Sequence, residues 1–344
     1  MTTSNITVKG VPGYDDHEVV YQIHIPEERI EGFIAIHRKH NGHPSFGATR
    51  FLNYRSDVDA LTDVLRLSHG MTLKCKGAEL PYGGGKCVLR IPKGKFNRKQ
   101  YFEAYAGVIN SLNGLFITGA DVGVNMADVV SMRRKSQYIV GVDVDPVKYT
   151  AIGVCDAVHE TLLALGKKED LSDITIAIQG VGKTGAALLE YLYPHKPKIY
   201  ITDVDTKRSE EMSKKYPGVI RVEADDIYDV PATIFSPCAV GGVLNSSTIA
   251  RLHVEAVVGS ANNQLLSPAD ADQLKDKNIL YAPDFIVNAG GLVSVVYEFE
   301  HPIGNSDEGI QEKVKGIRTR LHRIYTESKK TRQNTHAVAQ KFFQ

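Results

Sequence analysis

Two lysines and one acidic residue are the side chains whose types and spacing best suit chemistry. Lys74 and Lys86 lie in a segment that ends Gly83-Gly84-Gly85-Lys86. Glycines let backbone amides approach a ligand and take positive φ. Two lysines converging on one cleft lower each other's pKa, and burial lowers it further, which makes a usable base or nucleophile. The alternative interpretation is a glycine turn with solvated lysines.

Asp121 is the candidate acid. It follows a predicted strand over 115–118 and stands between Gly119 and Gly123. A carboxylate at a strand end can exchange a proton with a bound substrate. The alternative role is a cap for the helix that follows.

A glycine fingerprint marks the second half of the chain. A buried strand is predicted over 174–179, Gly180 to Gly185 matches G-x-G-x-x-G, and a helix and a second strand follow, ending in Asp203. In a dinucleotide-binding fold, Gly180 permits the tight turn, Gly182 admits the pyrophosphate and Gly185 lets helix and strand pack. Asp203 can accept both ribose hydroxyls and repels a 2′-phosphate. NAD is therefore favoured over NADP, with Lys207 and Arg208 weakening the preference.

The same stretch also fits a relaxed phosphate loop that ends Gly182-Lys183-Thr184, as in a nucleotide hydrolase. Two features oppose this interpretation. Ala177 stands where that loop needs glycine, and the apolar strand pattern continues through Ile178 into the supposed loop.

The elements that must position these residues form two sets. In the first half, strands are predicted over 19–25 and 33–37 and helices over 56–68 and 100–112. In the second half, a helix over 150–165 precedes strands that alternate with helices and end in small and amide residues, as at the carboxyl edge of a parallel sheet. Turn or cap chemistry is the alternative role for those amides, which include Asn262, Asn263 and Asn288.

The predicted fold class is α/β with two domains. An α/β substrate domain covers 1–143, joined by a C-terminal helix at about 320–344, and a doubly wound Rossmann domain covers 144–319, with a cleft between them. The length of 344 residues agrees with two domains.

Composition narrows the class of protein. A net charge of +1 gives no global field for nucleic acid or an anionic membrane. No apolar run suits a transmembrane helix and no signal peptide is recognised, so a cytoplasmic location is expected. The four cysteines form no C-x-x-C pair. His37, His40 and His43 are spaced by three, but they are interpreted as exposed loop histidines, and no metal is expected.

The chain resembles the amino-acid dehydrogenase superfamily, in its leucine, phenylalanine, valine and tryptophan branch. Several separate motifs carry the resemblance from about residue 34 to the C-terminal helix: Gly-Met-Thr-Leu-Lys at 70–74, Gly-Gly-Gly-Lys at 83–86, Asp121-Val122-Gly123 with Asp128, Thr-Ala-Ile-Gly-Val at 150–154, the fingerprint with Asp203, Ala-Asn-Asn-Gln at 261–264 and the segment 283–291. The resemblance implies NAD-dependent, reversible oxidative deamination of an L-amino acid to a 2-oxo acid and ammonia.

The resemblance also implies residue roles. Lys86 would activate water against an imino intermediate, Asp121 would exchange a proton with the amine, and Lys74 would bind the substrate carboxylate. Gly42 and Asn263 or Asn262 would help to position that carboxylate. The predicted cofactor set is Gly180, Gly182, Lys183, Thr184, Gly185 and Asp203, with Thr150 and Asn288 on the nicotinamide carboxamide and Cys238 and Ala239 alongside.

Substrate choice depends on two positions. In this branch the aromatic enzymes have Gly where the leucine enzymes have Ala, and Gly119 stands there; Leu292 likewise matches the aromatic type. Val295 completes the predicted pocket. L-phenylalanine or another aromatic amino acid is the preferred prediction, and leucine or valine is the alternative because one methyl group changes discrimination by only ~1–3 kcal/mol.

One segment departs from the family pattern. The loop 41–47 is one residue longer than usual, which leaves the role of Gly42 open and gives His43 a possible influence on substrate choice. The resemblance also implies a homo-oligomer, a dimer or larger, built through the first domain.

Overall fold

The computed structural model describes residues 3–39, 42–304 and 306–343 and divides the chain into two compact units. The first unit comprises Met1–Asp145 and Val295–Asn305, and the second comprises Pro146–Ser294 and Ser306–Gln344. The change of unit after Asp145 lies close to the boundary predicted at 143–144.

The first unit is built on a mixed seven-stranded sheet with the order β1-β2-β3-β6-β4-β7, in which β5 also pairs with β6. Strands β2 and β3 are antiparallel, whereas β4 and β5 run parallel to β6. The strands are β1 (Thr3–Asn5), β2 (Val19–Ile25), β3 (Ile30–Arg38), β4 (Ser45–Phe46), β5 (Thr49–Leu52), β6 (Gly83–Arg90) and β7 (Phe116–Ile117).

Three helices pack with this sheet: α1 (Asp57–Gly77), α2 (Arg98–Ser111) and α3 (Met126–Arg133). Helix α1 begins at the predicted cap, where the Ser56 side chain accepts a hydrogen bond from the amide of Asp59. It runs nine residues beyond the predicted end at residue 68, so Lys74 lies in its last turn. A core of Ile, Phe and Tyr side chains fills one face of the sheet, including the fully buried Phe51, Phe102 and Tyr105.

The run Gly83 to Gly85 is not the glycine turn that was considered as the alternative. All three glycines lie inside β6, and none has a positive φ. A Cβ on Gly83 would lie 1.7 Å from the carbonyl oxygen of Arg38, and one on Gly84 would lie 2.1 Å from the backbone nitrogen of Thr72. The glycines therefore let β3 and α1 press against the strand that carries Lys86.

The second unit contains a six-stranded, all-parallel sheet with the order β10-β9-β8-β11-β12-β13. Numbered from β8, this is the 3-2-1-4-5-6 order of the Rossmann fold. The strands are β8 (Thr175–Gln179), β9 (Lys198–Thr202), β10 (Ile220–Arg221), β11 (Ala232–Pro237), β12 (Val254–Val257) and β13 (Leu280–Tyr281). The predicted Rossmann fold is confirmed, and the order reverses between β8 and β11.

The remaining helices are α4 (Pro146–Ala164), α5 (Lys183–Leu192), α6 (Thr206–Lys215), α7 (Ser246–Arg251), α8 (Asp270–Asp276), α9 (Asp284–Val287), α10 (Gly290–Glu300), α11 (Asp307–Thr331) and α12 (Thr335–Phe343). Among the helices described, none is both long and apolar enough to cross a membrane.

The C-terminal helices differ from the expectation that they return to the first domain. Both α11 and α12 belong to the second unit. Ile317 of α11 packs where a Cβ on Gly153 of α4 would stand, at 2.6 Å, and the Tyr325 hydroxyl lies 2.7 Å from Thr161 Oγ1. The buried stripe of α11 covers α4, which is the physical reason for the difference.

We predict that Gly84→Ala destabilises the first unit. The new methyl group meets the α1 backbone at 2.1 Å, and backbone moves less readily than a side chain, so a loss of about 1–3 kcal/mol or more is expected. Gly70→Ala in the same helix is the matched control, since nothing lies within 4 Å of its Cβ position and its φ is negative. Urea unfolding measures both, and equal stability of the two variants would contradict the packing argument.

Candidate active site

Two cations converge on the Asp121 carboxylate in the first unit. Lys86 Nζ of β6 donates to Asp121 Oδ2 at 2.6 Å, and Arg50 Nε of β5 donates to the same oxygen at 3.2 Å. The Lys86 side chain is 7% exposed and that of Asp121 is 20% exposed. The structure thus pairs the predicted catalytic residues Lys86 and Asp121 directly.

Backbone pairing explains why these groups meet. The segment after β7 runs beside β5, since the amide of Asp121 donates to Thr49 O and the amide of Thr49 donates to Gly119 O. Strand β5 in turn pairs in parallel with β6. Asp121 caps no helix: α3 is capped by Asn125, so the alternative role considered for Asp121 is not the one found.

The charge state of Asp121 follows from its neighbours. Burial opposes ionisation of the carboxyl, but the Lys86 ammonium and the Arg50 guanidinium outweigh it and hold the pKa of Asp121 well below its usual range. This carboxylate is an ion-pair partner of Lys86. A carboxylate that stays ionised beside a lysine can stabilise positive charge on a bound nitrogen.

Arg50 is a site residue that the sequence reasoning missed. Its Nη1 donates to both carboxylate oxygens of Asp63, at 3.0 and 3.2 Å, and the Tyr54 hydroxyl donates to Asp63 Oδ2 at 2.7 Å. Asp63 and Tyr54 thereby fix the guanidinium against Asp121. An arginine inside an apolar strand was the available signal.

Lys74 and Gly42 are the predicted carboxylate-binding residues of the first unit. Lys74 lies in the last turn of α1, next to Cys75, whose Sγ donates to Gly83 O at 3.3 Å, three residues before Lys86. Gly42 has a φ of +80°, which a glycine adopts readily. Asn41, the first residue of the loop predicted to be one residue longer than usual, lies outside the described residues. The role of these positions stays a prediction.

Gly119, a predicted pocket residue, is buried. A Cβ at Gly119 would lie 2.8 Å from the carbonyl oxygen of Val140, so a glycine there is also required by packing. Leu292 of α10 is 8% exposed, and Val295 follows one turn later.

The three glycines of the fingerprint loop in the second unit have different surroundings. Gly180 has a φ of +88°, and a Cβ added there would lie 2.6 Å from the Cβ of Ala239. A Cβ added on Gly185 would lie 1.9 Å from Gly180 O. Nothing lies within 4 Å of the Cβ position of Gly182, which begins α5 without a side-chain cap. Only Gly182 is open, in the position where a helix N-terminus receives a pyrophosphate.

Lys183 and Thr184 form the first turn of α5 directly after Gly182. Cys238 follows β11, and its amide donates to Gln179 O at 2.8 Å, which holds Cys238 and Ala239 beside the loop. These residues lie where the strand order reverses, the place at which doubly wound folds bind their ligand.

Asp203 follows β9 and is 8% exposed. Its Oδ2 accepts the amide of Val181 at 2.9 Å, and Arg208 Nη1 lies 3.2 Å from Oδ1 and 3.3 Å from Oδ2. The acid therefore supports the glycine loop, and a cation stands beside it.

Asn288 carries a buried acceptor. Its Nδ2 donates to Asn262 Oδ1 at 3.0 Å and to Ser260 O at 3.2 Å, while its Oδ1 has no hydrogen-bond partner among the described residues. Such an oxygen suits an incoming amide donor. Asn263, with φ +52°, contributes its backbone oxygen to the amide of Gly242.

Thr150 lies next to the run Gly290-Gly291. A Cβ on Gly291 would lie 2.6 Å from Thr150 Oγ1, which donates to Pro146 O at 2.7 Å. The two glycines let α10 begin against the first turns of α4, which brings the Thr150 hydroxyl close to the segment that carries Asn288.

Comparisons with known proteins identify related chains. Residues 17–139 match the Glu/Leu/Phe/Val dehydrogenase dimerisation domain, and residues 199–342 match the Glutamate/Leucine/Phenylalanine/Valine dehydrogenase family. Phenylalanine dehydrogenase of Caldalkalibacillus thermarum is 39% identical over 95% of this chain and 90% of its own. Leucine dehydrogenase of Geobacillus stearothermophilus is 32% identical over 94% and 89%.

A solved structure is similar along nearly the whole chain. The crystal structure of L-tryptophan dehydrogenase from Nostoc punctiforme matches with a TM-score of 0.80 and 35% identity, covering 95% of this chain and 94% of that one. Both sequence and fold thus match amino-acid dehydrogenases.

We predict that Arg50→Gln raises the pKa of Asp121. Removing one of two adjacent positive charges shifts a carboxyl upward by about 1–3 pH units, while Arg50→Lys keeps the charge. Carbon-13 NMR of aspartate carboxyls, with Asp121 assigned through Asp121→Asn, measures the titration. In the native protein we expect Asp121 to stay ionised throughout the acid range in which the protein remains folded. If Asp121 titrates at the same pH in Arg50→Gln as in the native protein, Arg50 does not set the charge of Asp121.

Proposed function

Because this chain belongs to the glutamate/leucine/phenylalanine/valine dehydrogenase family, an oxidoreductase family, we propose that it oxidatively deaminates an aromatic L-amino acid, L-phenylalanine first, with NAD. The balanced reaction is amino acid, NAD⁺ and water to 2-oxo acid, NADH, ammonium and a proton, and it is reversible. The observation that carries the proposal is the ion pair at 2.6 Å between the buried Lys86 and the partly buried Asp121.

The chemistry follows from charges on this pair. As the Cα–H bond breaks, positive charge develops on the substrate nitrogen, which the ionised Asp121 stabilises and from which it accepts a proton. Lys86, after it has released a proton and become a neutral amine, holds the water that attacks the imino carbon and takes its proton. Lys74 binds the substrate carboxylate, with Gly42 and Asn263 or Asn262 assisting. NAD, when bound, supplies the acceptor for the hydride that leaves Cα.

The second unit supports a dinucleotide. The open Gly182 at the start of α5, with Lys183 and Thr184 beside it, fits a pyrophosphate, and the unpartnered Asn288 Oδ1 fits the carboxamide N–H of a nicotinamide. Thr150, Cys238 and Ala239 complete the proposed set. Asp203 favours NAD over NADP because its charge repels a 2′-phosphate.

Two residues support an aromatic substrate. Gly119 and Leu292 are the residue types that occur at these positions in aromatic-specific members of the family. A phenylalanine dehydrogenase and a tryptophan dehydrogenase are 39% and 35% identical to this chain. Leucine or valine is the alternative, since a leucine dehydrogenase is 32% identical. Val295 is proposed to line the same pocket.

We propose a homo-oligomer, since the first unit matches a domain described as a dimerisation domain. A small-molecule amino acid and its oxo acid are the partners that the reaction requires. A cytoplasmic location stays a prediction.

A substrate panel tests the proposal. NADH absorbance is followed with L-phenylalanine, L-tryptophan, L-leucine, L-valine and L-glutamate, with Lys86→Ala as the inactive control. We expect kcat/KM for an aromatic amino acid to exceed that for leucine by at least about tenfold, the discrimination that a shaped apolar pocket provides. Branched-chain substrates leading by the same factor would select the alternative, and no turnover of any would refute the function.

The cofactor assignment predicts the effect of Asp203→Ser. Loss of the carboxylate removes the repulsion of a 2′-phosphate and frees Arg208 to bind it. The NADP-to-NAD ratio of kcat/KM should rise by about tenfold or more, the effect of ~1.4 kcal/mol. The double variant Asp203→Ser, Arg208→Ala is the control and should lose that gain. An unchanged ratio in the single variant would show that Asp203 does not select the cofactor.

A further inference from the structure

Three metal-ligand side chains meet in the first unit outside the Lys86–Asp121 pair. One ligand atom from each of Asp15, His37 and His69 lies within 4.8 Å of the others. Asp15 Oδ2 is 3.2 Å from His37 Nε2 and 3.6 Å from His69 Nδ1. The residues come from the loop before β2, from the end of β3 and from α1.

These separations suit a shared cation. In a tetrahedral zinc site with bonds of about 2.0–2.1 Å, neighbouring ligand atoms stand roughly 3.3 Å apart. We propose that Asp15, His37 and His69 bind a divalent first-row transition ion of the zinc type, with water as fourth ligand. Imidazole nitrogens and one carboxylate oxygen are the donors that zinc accepts.

A hydrogen bond behind His37 orients it as a ligand. Its Nδ1 lies 2.8 Å from Thr72 Oγ1, so an Nδ1–H can donate to that hydroxyl and direct the Nε2 lone pair toward Asp15 and His69. The side chain is 5% exposed, and its ring stacks on His69 at 4.7 Å between centroids.

His17 helps to position Asp15, the carboxylate ligand of the proposed site. Its Nδ1 accepts the backbone amide of Asp15 at 3.2 Å, and its Nε2 lies 3.0 Å from Ser68 Oγ of α1. The loop that carries Asp15 is thus tied to the helix that carries His69. Such contacts orient the residues that bind the metal directly.

A positive charge lies beside the cluster. Arg38, which donates to the carbonyls of Asp15 and Asp16, opposes the ion's charge and limits its affinity.

This site differs from the sequence expectation for the histidines. His37 was expected to be an exposed loop residue, but it is buried at the end of β3. His43 contacts the ring of Tyr82, at 5.5 Å between centroids, and His40 lies outside the described residues. The partner that matters is His69, thirty-two residues later, which local spacing could not indicate.

Metal titration tests the proposal. The full-length protein, dialysed against EDTA, is titrated with Zn²⁺ by calorimetry and with Co²⁺ by visible absorption. We expect one ion per chain, tetrahedral-type Co²⁺ bands displaced by Zn²⁺, and a rise in Tm of about 3 °C or more at saturation. His69→Ala and Asp15→Asn should each weaken binding at least about tenfold.

His24→Ala is the matched control, since His24 Nδ1 also faces a carboxylate, Glu31 Oε1 at 3.8 Å, outside this cluster. It should leave the Co²⁺ spectrum and the affinity unchanged. Absence of one-to-one binding, or equal losses in His69→Ala and His24→Ala, would overturn the site. Dehydrogenase turnover is not the readout, so failure here leaves the proposed function untouched.

Discussion

The partly buried charge of Asp121 is the constraint on which the first unit depends. Its side chain is 20% exposed, and nearby cations favour the ionised form of a carboxyl that is partly removed from water. Lys86 and Arg50 provide these cations from two adjacent strands. The parallel register of β5 and β6, and the pairing of the segment after β7 with β5, are therefore conditions for the site as much as features of the fold.

Arg50 is itself held by Asp63 and Tyr54, which extends the charge network from the sheet to α1. A guanidinium already held by one carboxylate loses little freedom when it meets a second carboxylate. The arrangement leaves Lys86 and Asp121 pre-oriented before any substrate arrives, which is how electrostatic preorganisation reduces the cost of reaction.

Several glycines in this protein serve close packing. Gly83 and Gly84 admit β3 and α1 to the strand of Lys86, and Gly185 admits α5 to the fingerprint loop. Gly182 differs from these three, because the position of its missing side chain is open. The same residue type thus builds the scaffold at some positions and leaves room for a ligand at another.

The second unit was largely predictable because its signals are local. The fingerprint, its flanking strands and Asp203 lie within about thirty residues, and each part has one physical task. The strand over Gly83 to Gly85 was not predicted. A strand that needs small residues on both faces resembles a glycine-rich turn in sequence. Arg50 and His69 meet partners far along the chain, so only the folded sheet and helix reveal them.

The orphan oxygen of Asn288 has a thermodynamic consequence. An unsatisfied buried acceptor costs about 1–3 kcal/mol, and folding incurs that penalty before any ligand is present. A donor that reaches this oxygen gains its hydrogen bond without desolvating the acceptor again. If the proposed dinucleotide supplies that donor, part of its binding free energy comes from removing the cost of the unsatisfied oxygen in the free protein.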